Sequence, residues 1–120
     1  MILPLMLAIA ASTCHASDGD TINCRGHRYR LLGIDAPELH GCPRWRQCVG
    51  GDGRASQANL KSMLKGQIRV VPIKSDRYGR VVAQVYAGGV NLACAQVRAG
   101  AAVYIARWDD GGRLARECHL

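Results

Sequence analysis

Six cysteines in a chain of 120 residues constrain the fold before anything else does. That density does not suit an ordinary reduced cytosolic protein. No C-x-x-C pair is present; Cys42 and Cys48 are too widely spaced for a zinc knuckle and the other cysteines are scattered. Three disulfides formed in an oxidising compartment are therefore expected. Six cysteines allow many pairings, and spacing alone does not choose among them. Cys14 and Cys24 flank Asp18-Gly19 nearly symmetrically, so a hairpin there would set them on opposed strand positions, where Cβ atoms come closest. Cys42 with Cys48 would close a local loop, and Cys94 with Cys118 would tie a helix to the tail.

A chain of this length has room for one domain. Hydrophobic residues make up 48% of it and charged residues 21%, which supports a single core and argues against disorder. With no Phe in the chain, Val, Ile, Leu and Ala must fill that core. Sixteen basic residues face nine acidic ones, for a net charge of +7, and thirteen of the sixteen are Arg. The planar guanidinium fork is well shaped to grip phosphate, so a polyanionic partner is one reading. A solubilising surface is the other, and charge alone does not decide between them. His15, His27, His40 and His119 show no metal-type spacing and read as surface residues.

Residues 1–11 are uncharged and mostly apolar, yet far too few to span a bilayer, so no stable membrane association is expected. They read as a secretory leader with Ala8-Ile9-Ala10 as a small-residue cleavage site, or else as a truncated first strand. Residues 12–120 would then form the domain, secreted or periplasmic. Strands are predicted over residues 13–17 and 21–24, around Asp18-Gly19, and over 28–34, ending at Gly33 and a turn at Pro37. A Cys- and Gly-rich loop follows over 41–53. Leu60, Met63 and Leu64 mark a helix over 54–65, with Asp52 near its start and Gly66 as its stop. Strands over 67–73 and 81–87 are joined by a turn over 75–79. Asn91 caps a second helix that ends at Gly100, and residues 113–118 form a last helical turn. No β-α-β alternation is present. The expected fold is α+β: a small five-stranded OB-fold-type β-barrel with two or three helices packed on it.

Three segments gather acids and cations: Asp18-Gly19-Asp20-Thr21, Arg30-Leu31-Leu32-Gly33-Ile34-Asp35-Ala36-Pro37-Glu38, and Asp76-Arg77-Tyr78-Gly79-Arg80. Singly, each can be a turn, a strand end or a hairpin. Together and in this order they resemble the staphylococcal (micrococcal) nuclease family, from about residue 14 to residue 104. The resemblance implies a Ca²⁺-dependent nuclease that hydrolyses phosphodiester bonds of DNA and RNA. It implies one Ca²⁺ held by Asp20, Asp35 and the carbonyl of Ala36, with Glu38 as general base. Arg30 and Arg80 would clamp the phosphate, and Tyr78 would lie close to it. DNA and RNA would be the partners of a monomeric chain.

The chemistry of that set is coherent. Two carboxylates and a carbonyl are hard oxygen donors that suit Ca²⁺ or Mg²⁺. Guanidiniums and a metal ion stabilise the charge that grows on phosphoryl oxygens as water attacks. A carboxylate outside the metal shell can accept the proton of that water. The alternative is a non-catalytic OB-fold nucleic-acid-binding module, which needs the arginines but has no use for three acids. A disulfide-stapled interaction domain would account for the cysteines and not for the motifs.

Arg30 and Asp35 are five positions apart, so a regular strand would aim them at opposite faces, and a bend at Gly33 is required. The chain also departs from the family pattern. The segment from Asp20 to Arg30 is short, so its hairpin is clipped. The Cys42–Cys48 loop is additional material close to the motifs, and little chain follows Cys118 where the family has a long last helix. Arg44, Arg46 and Arg54 near that loop could extend a phosphate track, and Trp45 and Trp108 could stack on bases.

Overall fold

The computed structural model describes residues 6–120. The expected apolar leader therefore lies partly outside the described residues, and from Leu7 onward it forms a strand. Among the described residues there are nine strands and three α-helices: β1 Leu7–Ala10, β2 Cys14–Ala16, β3 Thr21–Cys24, β4 His27–Leu31, β5 Ile34–Asp35, α1 Gly53–Met63, β6 Gln67–Ser75, β7 Val81–Ala87, β8 Val90–Asn91, α2 Leu92–Arg98, β9 Val103–Tyr104 and α3 Arg113–Cys118.

The main sheet has the order β1-β6-β7-β4-β3-β2, with β8 paired to β7, and all its pairings are antiparallel except β4 with β7. Its two end strands, β1 and β2, are joined only by the 3₁₀ turn Ala11–Thr13. Strands so close in sequence cannot lie on far edges of a flat sheet, so the sheet must curl toward closure. This is the expected OB-type α+β architecture with a higher strand count. The five long strands are present as β1 with β2, β3, β4, β6 and β7. The count rises because the Ala11–Thr13 turn breaks the first strand and three two-residue strands (β5, β8, β9) are added.

The core follows from strand periodicity. In β6, Ile68 and Val70 are buried while Gln67 and Arg69 are exposed, the alternation of a half-buried strand. In β7, residues 82–85 are all buried, as expected for a central strand covered on both faces. Gln84 is among them, and it is satisfied by Asn91 Nδ2 at 2.9 Å and by Glu117, to which it donates at 3.2 Å. The other end of Asn91 caps α2: its Oδ1 accepts from Ala93 N and Cys94 N, as the sequence predicts. Asp52 caps α1 in the same way, through Arg54 N and Ala55 N. A Cβ on Gly53 would lie 2.3 Å from the Glu38 carbonyl oxygen, so only glycine lets α1 begin this close beneath the acid-bearing loop.

All six cysteines pair as expected. Cys14 and Cys24 are direct cross-strand partners of β2 and β3, with Cα atoms 4.1 Å apart. The connection between those strands is wider than a two-residue hairpin, and Gly19 does not adopt a left-handed conformation. Asp18 instead turns the chain by accepting a hydrogen bond from Asp20 N at 3.0 Å. The two-residue hairpin turn is found one connection later, at Arg25-Gly26, both with positive φ.

One buried side chain locks the helices under this loop. The Gln96 amide of α2, with no exposed surface, donates to Gly19 O at 2.7 Å and Ser56 O at 3.0 Å, while its oxygen accepts from Asn59 Nδ2 at 2.6 Å. Gln96→Leu would remove the side-chain partner of the buried Gly19 carbonyl and the bonds that join α2 to Ser56 and Asn59 of α1. A destabilisation of about 2–5 kcal/mol is expected in urea unfolding, well above that of an ordinary surface substitution.

Candidate functional site

The bend required at Gly33 is present. Gly33 has φ of 77°, and a Cβ there would meet Leu114 Cδ2 at 2.9 Å. Beyond it, β5 pairs with β9 in the register Asp35↔Val103, and Ile105 N donates to Gly33 O at 2.8 Å. The reversal brings Asp35 back beside Arg30: Arg30 Nη2 lies 4.0 Å from Asp35 Oδ1, and Arg30 Nη1 lies 3.7 Å from Asp20 Oδ2. Asp20 arrives from the neighbouring strand, where Leu31 N donates to its carbonyl at 2.9 Å. Both carboxylates are buried, Asp20 at 6% exposure and Asp35 at 4%. Asp20 Oδ2 also accepts from Ala36 N at 2.9 Å, and its Oδ1 from the Thr21 hydroxyl at 3.1 Å.

Above these acids opens a cavity of about 500 Å³. Asp20, Arg30, Ala36, Glu38, Tyr78 and Arg80 all line it, so three separate segments of the chain meet there, and Asp35 lies just behind that wall. Arg80 is presented by the turn between β6 and β7. There the Asp76 carboxylate accepts from Tyr78 N at 2.9 Å, Arg80 N at 3.0 Å and Arg80 Nε at 2.8 Å. Fixing Nε in this way leaves the Nη groups of Arg80 without an acceptor among the described residues. Tyr78, 51% exposed, lies along the Arg80 guanidinium at 5.6 Å. Arg30 stacks over the Trp108 ring at 4.8 Å, so Trp108 packs against a phosphate-binding candidate within the cavity wall.

Two participants lie outside the sequence-derived set. Asp76 belongs to the third motif, but its role in aiming Arg80 became visible only with the turn formed. Arg46, expected on a phosphate track, instead points back into the acids. Its Nη2 donates to Asp35 Oδ1 at 2.8 Å and Oδ2 at 2.9 Å, and its Nη1 donates to Glu38 Oε1. Burial alone would lower the Arg46 pKa, but the hydrogen bonds and charge of Asp35, with Glu38 and Asp20 behind it, hold it above its ordinary value. Burial and the adjacent Asp20 push Asp18 the other way for an acid, up to about 7. The four histidines are all exposed, as expected.

The donor chemistry suits a hard divalent cation. Asp20, Asp35 and the Ala36 carbonyl supply oxygens only, two of them on buried carboxylates that need a positive partner. Among the described residues no three His, Cys, Asp or Glu side chains gather as a metal cage. Guanidiniums lie against the acids instead, Arg30 against Asp20 and Asp35, and Arg46 against Asp35 and Glu38.

Comparison with known proteins bears on the same residues. The family model of the staphylococcal nuclease homologues matches residues 28–117, a span that holds Arg30, Asp35, Ala36, Glu38, Tyr78 and Arg80 and begins after Asp20. An uncharacterized endonuclease of Escherichia coli is 42% identical over 91 residues, which cover 71% of this chain and 54% of that protein. A probable staphylococcal-like nuclease, CAN1, of Oryza sativa subsp. japonica is 31% identical over 98 residues, 82% of this chain and 27% of its own. The probable endonuclease LCL3 of Paracoccidioides lutzii is 44% identical over 57 residues, 48% of this chain and 16% of its own. The chain thus spans about half the length of the E. coli relative.

The Asp76 turn carries its own pH signature. Burial would raise the Asp76 pKa, but the N–H groups of Arg80 and Tyr78 and the Arg80 charge more than offset it and hold the carboxyl below its usual 3.8. A depressed acid stabilises the fold fully above its unfolded value, and that contribution is lost as pH falls through the lower folded value. Asp76→Asn is therefore expected to cost about 1.5–3 kcal/mol at neutral pH, the scale of one charge-assisted hydrogen bond. In unfolding measured from pH 7 downward, the gap between parent and variant should close only below pH 3.8.

Proposed function

The chain belongs to the staphylococcal nuclease homologue family, and on that premise we propose that it is a Ca²⁺-dependent nuclease hydrolysing phosphodiester bonds of DNA and RNA. The observation that carries the reading is the single cavity in which Arg30, Arg80, Glu38 and Asp20 meet although they come from three separate motifs. One Ca²⁺ would be held by Asp20, Asp35 and the Ala36 carbonyl, and when bound it would supply positive charge to the phosphoryl oxygens.

The chain's own residues do the rest. Arg30 and Arg80 fork onto non-bridging oxygens and hold the phosphodiester in place, with Tyr78 beside it. Their charge is worth more as negative charge grows on those oxygens in the transition state. Glu38 takes a proton from the attacking water as the new P–O bond forms. The bond to the leaving sugar oxygen breaks, and that oxygen takes its proton from solvent. Three disulfides support folding in an oxidising compartment, consistent with a secreted or periplasmic protein. The alternative, a non-catalytic nucleic-acid-binding module, has one observation in its favour: Glu38 is already paired, with Arg46.

A side-by-side assay of cleavage and binding separates the two. Chelator should abolish cleavage, and Asp20→Ala should weaken Ca²⁺ binding measured by calorimetry. Glu38→Gln keeps size and hydrogen bonding but cannot take the proton, so cleavage should fall by about 10²–10⁴-fold while binding of a nucleic acid survives. Arg30→Ala and Arg80→Ala should weaken binding and cleavage together, because a guanidinium touches ground state and transition state alike. Parental cleavage by Glu38→Gln would remove that residue from the chemistry.

A further inference from the structure

The interaction left over by the proposed chemistry is the one made by Arg46. It sits in the short ring closed by Cys42 and Cys48, whose Cα atoms are 5.9 Å apart. Within that ring Arg46 N donates to Pro43 O at 3.1 Å, a tight turn that aims the side chain at the acids. Its guanidinium takes both oxygens of the buried Asp35 and one oxygen of Glu38. The lone pairs it occupies on Asp35 are those a divalent cation would need. Arg46 takes both Asp35 oxygens at hydrogen-bonding distance, whereas Arg30 stays 4.0 Å from Asp35, so Arg46 is the guanidinium that competes with a cation for that carboxylate.

We propose that Arg46 is a tethered counter-ion: it neutralises Asp35 and Glu38 before the divalent cation binds, and it must be displaced when the cation enters. This rests on the metal-dependent reading above and adds the residue that sets how much cation the chain needs. The tether explains why the competition is strong. A small closed ring holds the guanidinium at high effective concentration over Asp35, so it leaves by rotating its own side chain and not by loop excursion. Opening the ring lengthens the tether and lowers that concentration. Displacement also frees Glu38 from its partner, so the same event that charges the site unblocks the proposed base. Arg46 lines the substrate cavity, and once released it faces the space a phosphate would fill.

Calcium chloride titrations by isothermal calorimetry test this on the folded chain, with no need for activity. Arg46→Gln should bind Ca²⁺ about 10-fold to 100-fold more tightly than the parent, the range by which one charge-assisted hydrogen-bonded pair shifts an equilibrium. The double variant Cys42→Ser with Cys48→Ser, which retains Arg46, should fall between the two. A readout on the parent guards against variants that fold badly. In ¹⁵N-labelled protein the Arg46 side-chain N–H signals should be protected from exchange without Ca²⁺ and exposed at saturation. Two outcomes overturn the proposal while leaving the metal reading standing: equal or weaker Ca²⁺ binding by Arg46→Gln, or Arg46 signals that stay protected in the Ca²⁺-saturated parent. Absence of Ca²⁺ binding by parent and variants alike would overturn both.

Discussion

Two aspartates of like charge, Asp20 and Asp35, are buried side by side, and the rest of the structure is arranged around that electrostatic demand. A carboxylate removed from water must find hydrogen bonds and opposite charge nearby, or it would take up a proton and lose the chemistry it exists for. Here the compensation is distributed. Asp20 receives the Ala36 N–H, the Thr21 hydroxyl and the Arg30 charge, and Asp35 receives Arg30 on one side and the doubly bonded Arg46 on the other. Asp18, next in line, accepts the Asp20 N–H but pairs with no cation among the described residues, and burial and Asp20 push it toward neutrality. The site is thus a layered set of charges in which Arg30, Arg46 and Arg80 each lie against an acid.

Holding those charges in register is the task of the scaffold. The curled sheet places the Asp20 strand beside the Arg30 strand, and the Gly33 bend folds Asp35 back over Arg30. Helix α1 begins directly beneath Glu38 because Gly53 has no side chain to obstruct it. Gln96 then binds α2, α1 and the Asp18–Asp20 loop into one unit through bonds that only a buried amide, with both a donor and an acceptor end, can make. The disulfides act at the periphery of this unit, across β2 and β3, within the loop that carries Arg46, and between α2 and α3. In a small domain with few aromatic residues, such cross-links limit the unfolded chain and supplement a modest core.

Much of this was written in the sequence, and what was legible shares a physical feature. The caps at Asp52 and Asn91, the turn over residues 75–79, the bend at Gly33 and the Cys14–Cys24 pairing all follow from interactions between residues near one another along the chain, where local geometry leaves few choices. The acids and arginines of the motifs were likewise readable, because their chemistry is set by residue type and their order along the chain carries the resemblance. What only the tertiary structure decided depends on contacts between distant segments or on the conformation of a closed loop. Gln96 reads as an unremarkable helix residue until Gly19 and Ser56 are brought to it from 77 and 40 positions away. The strand count rose because a turn at Ala11–Thr13 divides the first strand as the sheet curls and because distant segments meet in the short strands β5, β8 and β9. Arg46 shows the boundary most plainly. Its place in the chain sets Arg46 near a phosphate site, but whether it reaches outward to substrate or inward to Asp35 and Glu38 depends on how a disulfide-closed ring aims it and on two negative charges, one buried and one half-buried, waiting within reach.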